Sequence, residues 1–182
     1  MLVIHPSDKT TDFLRPLYAD RKEVKCVTGR ESRNELGSLI YHLRPGEPVM
    51  LLGHGNESGL FRLEEDGEYH LYVGHAMSYA LRRHPVIGIW CHADRFARKE
   101  HLYGLFSGMI VSEMKEAQEY GIECSQEELD LSNERFAHLL RNALGHCPDL
   151  AGIPEEMSMA ASVESELERF NFNSLYYFQG WL

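Results

Sequence analysis

Two apolar runs in this chain each end on a side chain able to carry a proton or attack a carbonyl. Pro48-Val49-Met50-Leu51-Leu52-Gly53 leads into His54-Gly55, and Pro85-Val86-Ile87-Gly88-Ile89-Trp90 leads into Cys91-His92-Ala93. A thiol of ordinary pKa is mostly unionised at neutral pH, so a nucleophilic cysteine needs a base such as imidazole beside it. The same imidazole can return the proton to a leaving amine. Glycine at 55 lacks a Cβ and would let a substrate come close to the backbone. His92 is the weaker partner for Cys91, because adjacent side chains on an extended segment point to opposite sides.

Positioning such a pair is the task of the elements around it. Short, β-branched-rich apolar runs behind a proline read as strands buried on both faces of a parallel sheet. Chemistry in open α/β sheets gathers outside the carboxyl ends of such strands, so neighbouring strands would deliver His54 and Cys91 to one edge. Strand and helix signals alternate along the chain, predicting a three-layer α/β/α sandwich with a mostly parallel central sheet. Strands are expected at 1–5, 23–28 and 108–112 besides the two runs, with a hairpin over 60–73 turning at Glu65-Asp66-Gly67. Helices are expected at 12–19, 32–43, 76–83, from about Glu116, at 125–144 and at 158–170, and the aromatic segment 174–182 should dock on the body. Ser125 and Glu128 have the spacing of a capping box.

Composition limits the function classes. The 182 residues, 43% hydrophobic and 25% charged, fit a single globular domain spanning 1–182. A net charge of −10 leaves no broad basic surface for nucleic acid. No stretch has the run of about 18 apolar residues that a membrane span needs. The amino-terminal Met1–Pro6 reads as a strand rather than a basic leader. Reduced thiols at Cys26, Cys91, Cys124 and Cys147, and a cytoplasmic setting, are therefore expected.

The strand–His54-Gly55 and strand–Cys91 pattern resembles the caspase-like superfamily of cysteine peptidases, which includes caspases, metacaspases, legumains, separases and gingipains. The resemblance covers about Pro48 to Ala93. It implies a caspase-like fold, with His54 and Cys91 as a dyad hydrolysing peptide bonds and the N–H groups of Gly55 and Cys91 as an oxyanion hole. No cofactor and no metal is implied. Cys91 lies 37 positions after His54, a shorter interval than the roughly 50 of caspases. Ile89-Trp90-Cys91-His92-Ala93 also departs from the Gln-Ala-Cys of caspases proper, so aspartate specificity is not carried over.

Acidic residues near the expected cleft, Asp94 and Glu57 with Glu113 beyond them, favour a basic substrate side chain. A peptide or protein is the expected substrate, with a protein partner or a second copy of the chain left open. The competing class is an inactive binding or regulatory module on the same fold. A flavodoxin-like nucleotide or metal-dependent hydrolase is disfavoured, because the chain lacks a glycine-rich phosphate loop and a carboxylate cluster. The histidines at 42, 54, 70, 75 and 84 crowd one stretch with Cys91, but their spacings match no standard zinc motif.

Overall fold

A computed structural model describes residues 1–147 and 149–180. β1 (Leu2–Ile4) leads through a 3-10 helix (Lys9–Leu17) to β2 (Lys25–Val27), then α1 (Arg33–Tyr41) and β3 (Val49–Leu52). A small three-stranded antiparallel sheet follows, built from β4 (Gly55–Asn56), β5 (Gly59–Leu63) and β6 (Tyr69–Gly74). Then come α2 (His75–Leu81), β7 (Pro85–Ile89), α3 (Ala93–Glu100) and β8 (Tyr103–Ser107). The chain finishes with α4 (Met114–Glu119), α5 (Gln126–His146), α6 (Ile153–Ala160), α7 (Glu166–Phe172) and β9 (Leu175–Phe178).

The main sheet has the order β2-β1-β3-β7-β8-β9, parallel except for β9, which pairs antiparallel with β8. Strand side chains divide by parity. Leu2, Ile4, Val49, Leu51, Val86 and Phe106 pack with Leu36, Ile40, Leu81, Phe96 and Ala97 of α1, α2 and α3. Val3, Met50, Leu52, Ile87, Ile89 and Leu105 pack with Leu14 and Leu17 of the 3-10 helix, with Phe136 and Leu140 of α5, and with Met157 and Phe172 of α6 and α7. Helices thus cover both faces, which is why the central strands are apolar at every position. Ser125 does cap α5, accepting from Glu128 N–H, and Ser32 caps α1 in the same way.

Two expectations need correction. The strand expected at 108–112 lies earlier, at Tyr103–Ser107. Gly104 disguised it: its φ of +126° and its contact with Val86, whose carbonyl would lie 2.0 Å from any Cβ, make glycine obligatory inside that strand. The helix expected over 158–170 is two helices, broken between Ala160 and Glu166, with Ser165 capping the second through Glu168 N–H.

His5, just past β1, clamps the 3-10 helix: Nδ1 is 3.0 Å from the Tyr18 hydroxyl and Nε2 is 3.2 Å from Thr11 Oγ1. Burial, aided by the charge of Arg15, lowers its pKa from 6.5 to about 4. The unfolded chain therefore binds the extra proton first, and folding stability is lost as pH falls through 6.5 towards 4. The loss is of order 3 kcal/mol. Urea unfolding at pH 7 and pH 5 should show about 2 kcal/mol of this loss in the wild type and a clearly smaller loss in His5→Gln. Equal losses would remove His5 from the account.

Candidate active site

The sheet order reverses between β1 and β3, since β2 lies on the far side of β1. Loops leaving the carboxyl ends of strands at such a reversal diverge and leave a crevice. Asp8 and Thr10 follow β1, and His54 follows β3. Asp8 caps the 3-10 helix, its Oδ1 accepting from Thr10 N–H at 3.0 Å and from the Thr10 hydroxyl at 2.8 Å. Its Oδ2 accepts from the Tyr69 hydroxyl of β6 at 2.5 Å. Burial works against the Asp8 charge, but these donors outweigh it and hold the carboxyl below the usual carboxylate range.

That network dictates the His54 tautomer. Thr10 has one hydroxyl proton, and the ionised Asp8 Oδ1 takes it. At 2.6 Å from His54 Nε2, Thr10 Oγ1 is therefore the acceptor, so Nε2 carries a proton. Nδ1 is left as the nitrogen that can take a proton. Asp8 Oδ2 lies 3.9 Å from Nε2, placed to stabilise an imidazolium, and the Tyr69 ring packs against the imidazole with centroids 5.2 Å apart.

Cys91 has the same origin on the neighbouring strand. β3 and β7 pair in parallel with Leu52 opposite Ile89, and the ladder continues through Gly53 N–H to Ile89 O at 3.1 Å. His54 and Cys91 each stand two residues beyond that last pair. The thiol donates towards the Ile110 carbonyl at 3.3 Å and lies 3.6 Å from Glu116 Oε1. Glu116 is fixed by Ser112 N–H at 2.7 Å and Glu113 N–H at 3.1 Å. Burial first, and the Glu116 charge second, push the Cys91 thiol up to about 12. Among the described residues its hydrogen-bond partners are thus Ile110 and Glu116, whereas the imidazole's is Thr10.

The other expected site residues have distinct settings. Gly55 opens β4, and a Cβ there would meet Trp90 Cδ1 at 2.3 Å and the Gly59 carbonyl at 2.4 Å, so packing alone demands glycine. Trp90 is buried beneath it, with Nε1 donating to Asn56 O at 3.1 Å and its backbone N–H donating to Ser107 Oγ at 3.0 Å. His92 adopts a left-handed φ of 65° that starts α3. Asp94 borders a shallow depression with His92, Gly108 and Tyr176, and one of its carboxylate oxygens is buried without a partner among the described residues. Glu57 is exposed and pairs with Arg95 at 3.4 Å. Neither acid lines the groove that adjoins Thr10.

That groove, of about 490 Å³, runs between Lys9, Thr10 and Phe13 on one side and Ser112–Met114 on the other. Its far wall is Gln126, Asp130, Asn133 and Glu134 of α5. Three carboxylates against one lysine make it acidic, and Glu113 is the one expected cleft residue found there. Asp8, Thr10, Tyr69 and Glu116 were not anticipated. Asp8-Lys9-Thr10, four residues past the end of an apolar strand, has the form of an Asx cap, the local signal for the first two. Tyr69 and Glu116 come from distant elements and leave no local signature. The crowded histidines disperse, His70 to Asp66, His75 to Glu100 and His84 to the Glu47 carbonyl. No described helix is long and apolar enough to cross a membrane. Neither a protein-family model nor a curated protein matches this chain.

The buried, protonated thiol should alkylate slowly. With iodoacetamide at neutral pH, Cys91 in the native protein is expected to react at least about tenfold more slowly than in urea. Glu116→Gln should accelerate it while leaving most of the burial effect. Native labelling as fast as in the unfolded chain would contradict this account of the thiol.

Proposed function

We propose that this protein is a caspase-like cysteine peptidase, at rest in a latent state, that uses His54 and Cys91. The observation that supports it most is the common origin of the two side chains, each two residues past the last pair of adjacent parallel strands. The mostly parallel central sheet, covered by helices on both faces, suits the same reading. In the reaction, the Cys91 thiol turns away from Ile110 and Glu116 to another staggered rotamer and gives its proton to His54 Nδ1. The thiolate attacks the scissile carbonyl, and the C–N bond breaks as the imidazolium returns the proton to the leaving amine. Water then hydrolyses the acyl-enzyme. Thr10 and Asp8 hold the Nε2–H tautomer and stabilise the imidazolium, and the N–H groups of Gly55 and Cys91 receive the oxyanion.

The acidic groove beside Thr10 receives the substrate side chain ahead of the scissile bond, and its charge favours lysine or arginine. This keeps Glu113 in the specificity assignment and replaces Asp94 and Glu57 with Asp130 and Glu134. The raised thiol pKa favours a second reading, an inactive module of the same fold in which Cys91 is a buried structural residue.

Peptide-library hydrolysis separates the two. A peptidase loses all cleavage in Cys91→Ala and nearly all in His54→Ala, both remaining folded, and Asp8→Asn lowers kcat more than it changes KM. A folded Cys91→Ala that still cleaves would end the assignment. Wild type that neither cleaves nor is labelled at Cys91 by peptidyl thiol-reactive probes, even ones carrying lysine or arginine, would favour the module.

Where cleavage is seen, it should follow basic residues, and Glu113→Gln should lower kcat/KM for them by about tenfold, the worth of one charge-assisted contact. Preferred cleavage after aspartate or asparagine would reject the groove assignment while leaving the dyad standing.

A further inference from the structure

At the opposite end of α5 from the acidic groove, three different donor types converge. His146 ends the helix, Cys147 is its C-cap, and Glu156 lies in the first turn of α6. His146 Nε2 is 3.1 Å from Glu156 Oε2, Cys147 Sγ is 3.2 Å from the same oxygen, and one ligand atom from each residue lies within 4.8 Å of the other two. Sequence neighbours inside a helix project in different directions. Here the backbone leaves the helix at Cys147, with φ −67° and ψ 130°, and the thiol is brought round to the His146 side.

The geometry points to a divalent zinc site at this junction, built from His146, Cys147 and Glu156. With Zn–S near 2.3 Å and Zn–N and Zn–O near 2.0–2.1 Å, ligand atoms of a tetrahedral site lie about 3.3–3.6 Å apart. The three atoms need only small side-chain adjustments to span one face of such a tetrahedron. The donor set selects the ion. A thiolate, an imidazole nitrogen and one carboxylate oxygen suit zinc, whereas magnesium and calcium require oxygen ligands throughout. Binding releases the Cys147 proton, the imidazole binds as the Nδ1–H tautomer, and the thiolate and carboxylate together balance the ion's two positive charges. The fourth position is left to water.

Hydrogen bonds alone account for the present contacts, with Glu156 accepting from both neighbours. Yet that leaves one carboxylate oxygen shared by a thiol and an imidazole, an arrangement a cation at the centre would convert into three direct bonds. The site would tie α5 to α6, whose Leu140, Ala143, Ile153 and Met157 cover the second face of the sheet. It stands 13 residues along α5 from Asn133 of the groove, about 20 Å at 1.5 Å per residue, so it is a clamp on the fold, independent of the proposed catalysis.

The test uses the full chain stripped with EDTA and titrated with zinc chloride in a calorimeter, with cobalt(II) as a spectroscopic substitute. The expected result is one ion per chain, a thiolate-to-cobalt charge-transfer band, and a raised thermal midpoint. His146→Ala and Cys147→Ser should each weaken binding at least tenfold and abolish or weaken the band, while Cys26→Ser and Cys124→Ser leave both unchanged. Should Cys147→Ser fold poorly, the exposed His146→Ala decides. Absence of zinc uptake, a midpoint shift reproduced equally by magnesium, or binding unchanged in folded His146→Ala would overturn the proposal.

Discussion

The in-register pairing of β3 with β7 is the constraint from which the candidate site follows. Val49 to Leu52 of β3 and Val86, Ile87 and Ile89 of β7 are buried and each committed to one helical layer or the other. The side-chain period of two means that a slip of one residue would exchange the layers and drive Met50 and Leu52 among the partners of Val49 and Leu51. It would also set His54 opposite Trp90 or His92 instead of Cys91. The hydrophobic cost of such a slip, several large side chains at about 2–5 kcal/mol each when truncated, makes the register stiff. Chemistry at the strand ends inherits that stiffness.

Around this frame the surrounding loops hold Asp8 and Cys91 in different charge states. On the β1 side, donors from Thr10 and Tyr69 keep Asp8 ionised despite its burial. On the β8 side, burial and Glu116 keep Cys91 protonated. The loop after β1 is itself pinned by His5, so the imidazole's support reaches back into the first strand. Ser107 plays the matching part for β7, receiving the Trp90 N–H and donating to the Trp90 carbonyl at 2.7 Å, one residue before the cysteine.

Much of the fold was legible in the sequence because periodicity reports burial directly. The runs before His54 and Cys91, the hairpin turning near Gly67, and the Ser32 and Ser125 caps are local patterns with local causes. Tyr103–Ser107 escaped because its glycine serves a contact with another strand, which composition cannot reveal. The break between α6 and α7 is similar, since the apolar spacing continues across it. At the site, the strand ends were readable, but of the groove's three acids only Glu113 was. Glu57 and Asp94 are near His54 and Cys91 in sequence, yet the groove's acids come from the segment after β8 and from α5. Sequence proximity is a poor guide where crossover helices carry each loop away from its neighbour.

The thiol's protonation is the point at which geometry and chemistry must be reconciled. A rise from 9.0 to about 12 corresponds to roughly 4 kcal/mol of added cost for forming the thiolate, or about a thousandfold in population. An oxyanion-hole donor contributes a comparable sum to a barrier, so uncorrected burial would cancel one of the main sources of catalysis. Burial supplies the largest part of that cost, and the Glu116 carboxylate near Sγ adds to it. In the proposed reaction, turning the thiol towards an imidazole whose Nε2 is held as a donor by Thr10 takes Sγ away from the Glu116 charge and towards a base. The imidazolium formed by the transfer would then offset the thiolate charge. Glu116 is also the residue that fixes the segment 112–116 bordering the acidic groove, through the N–H groups of Ser112 and Glu113. Glu116 thus joins the border of the acidic groove, through the bond it accepts from the Glu113 N–H, to the surroundings of Cys91.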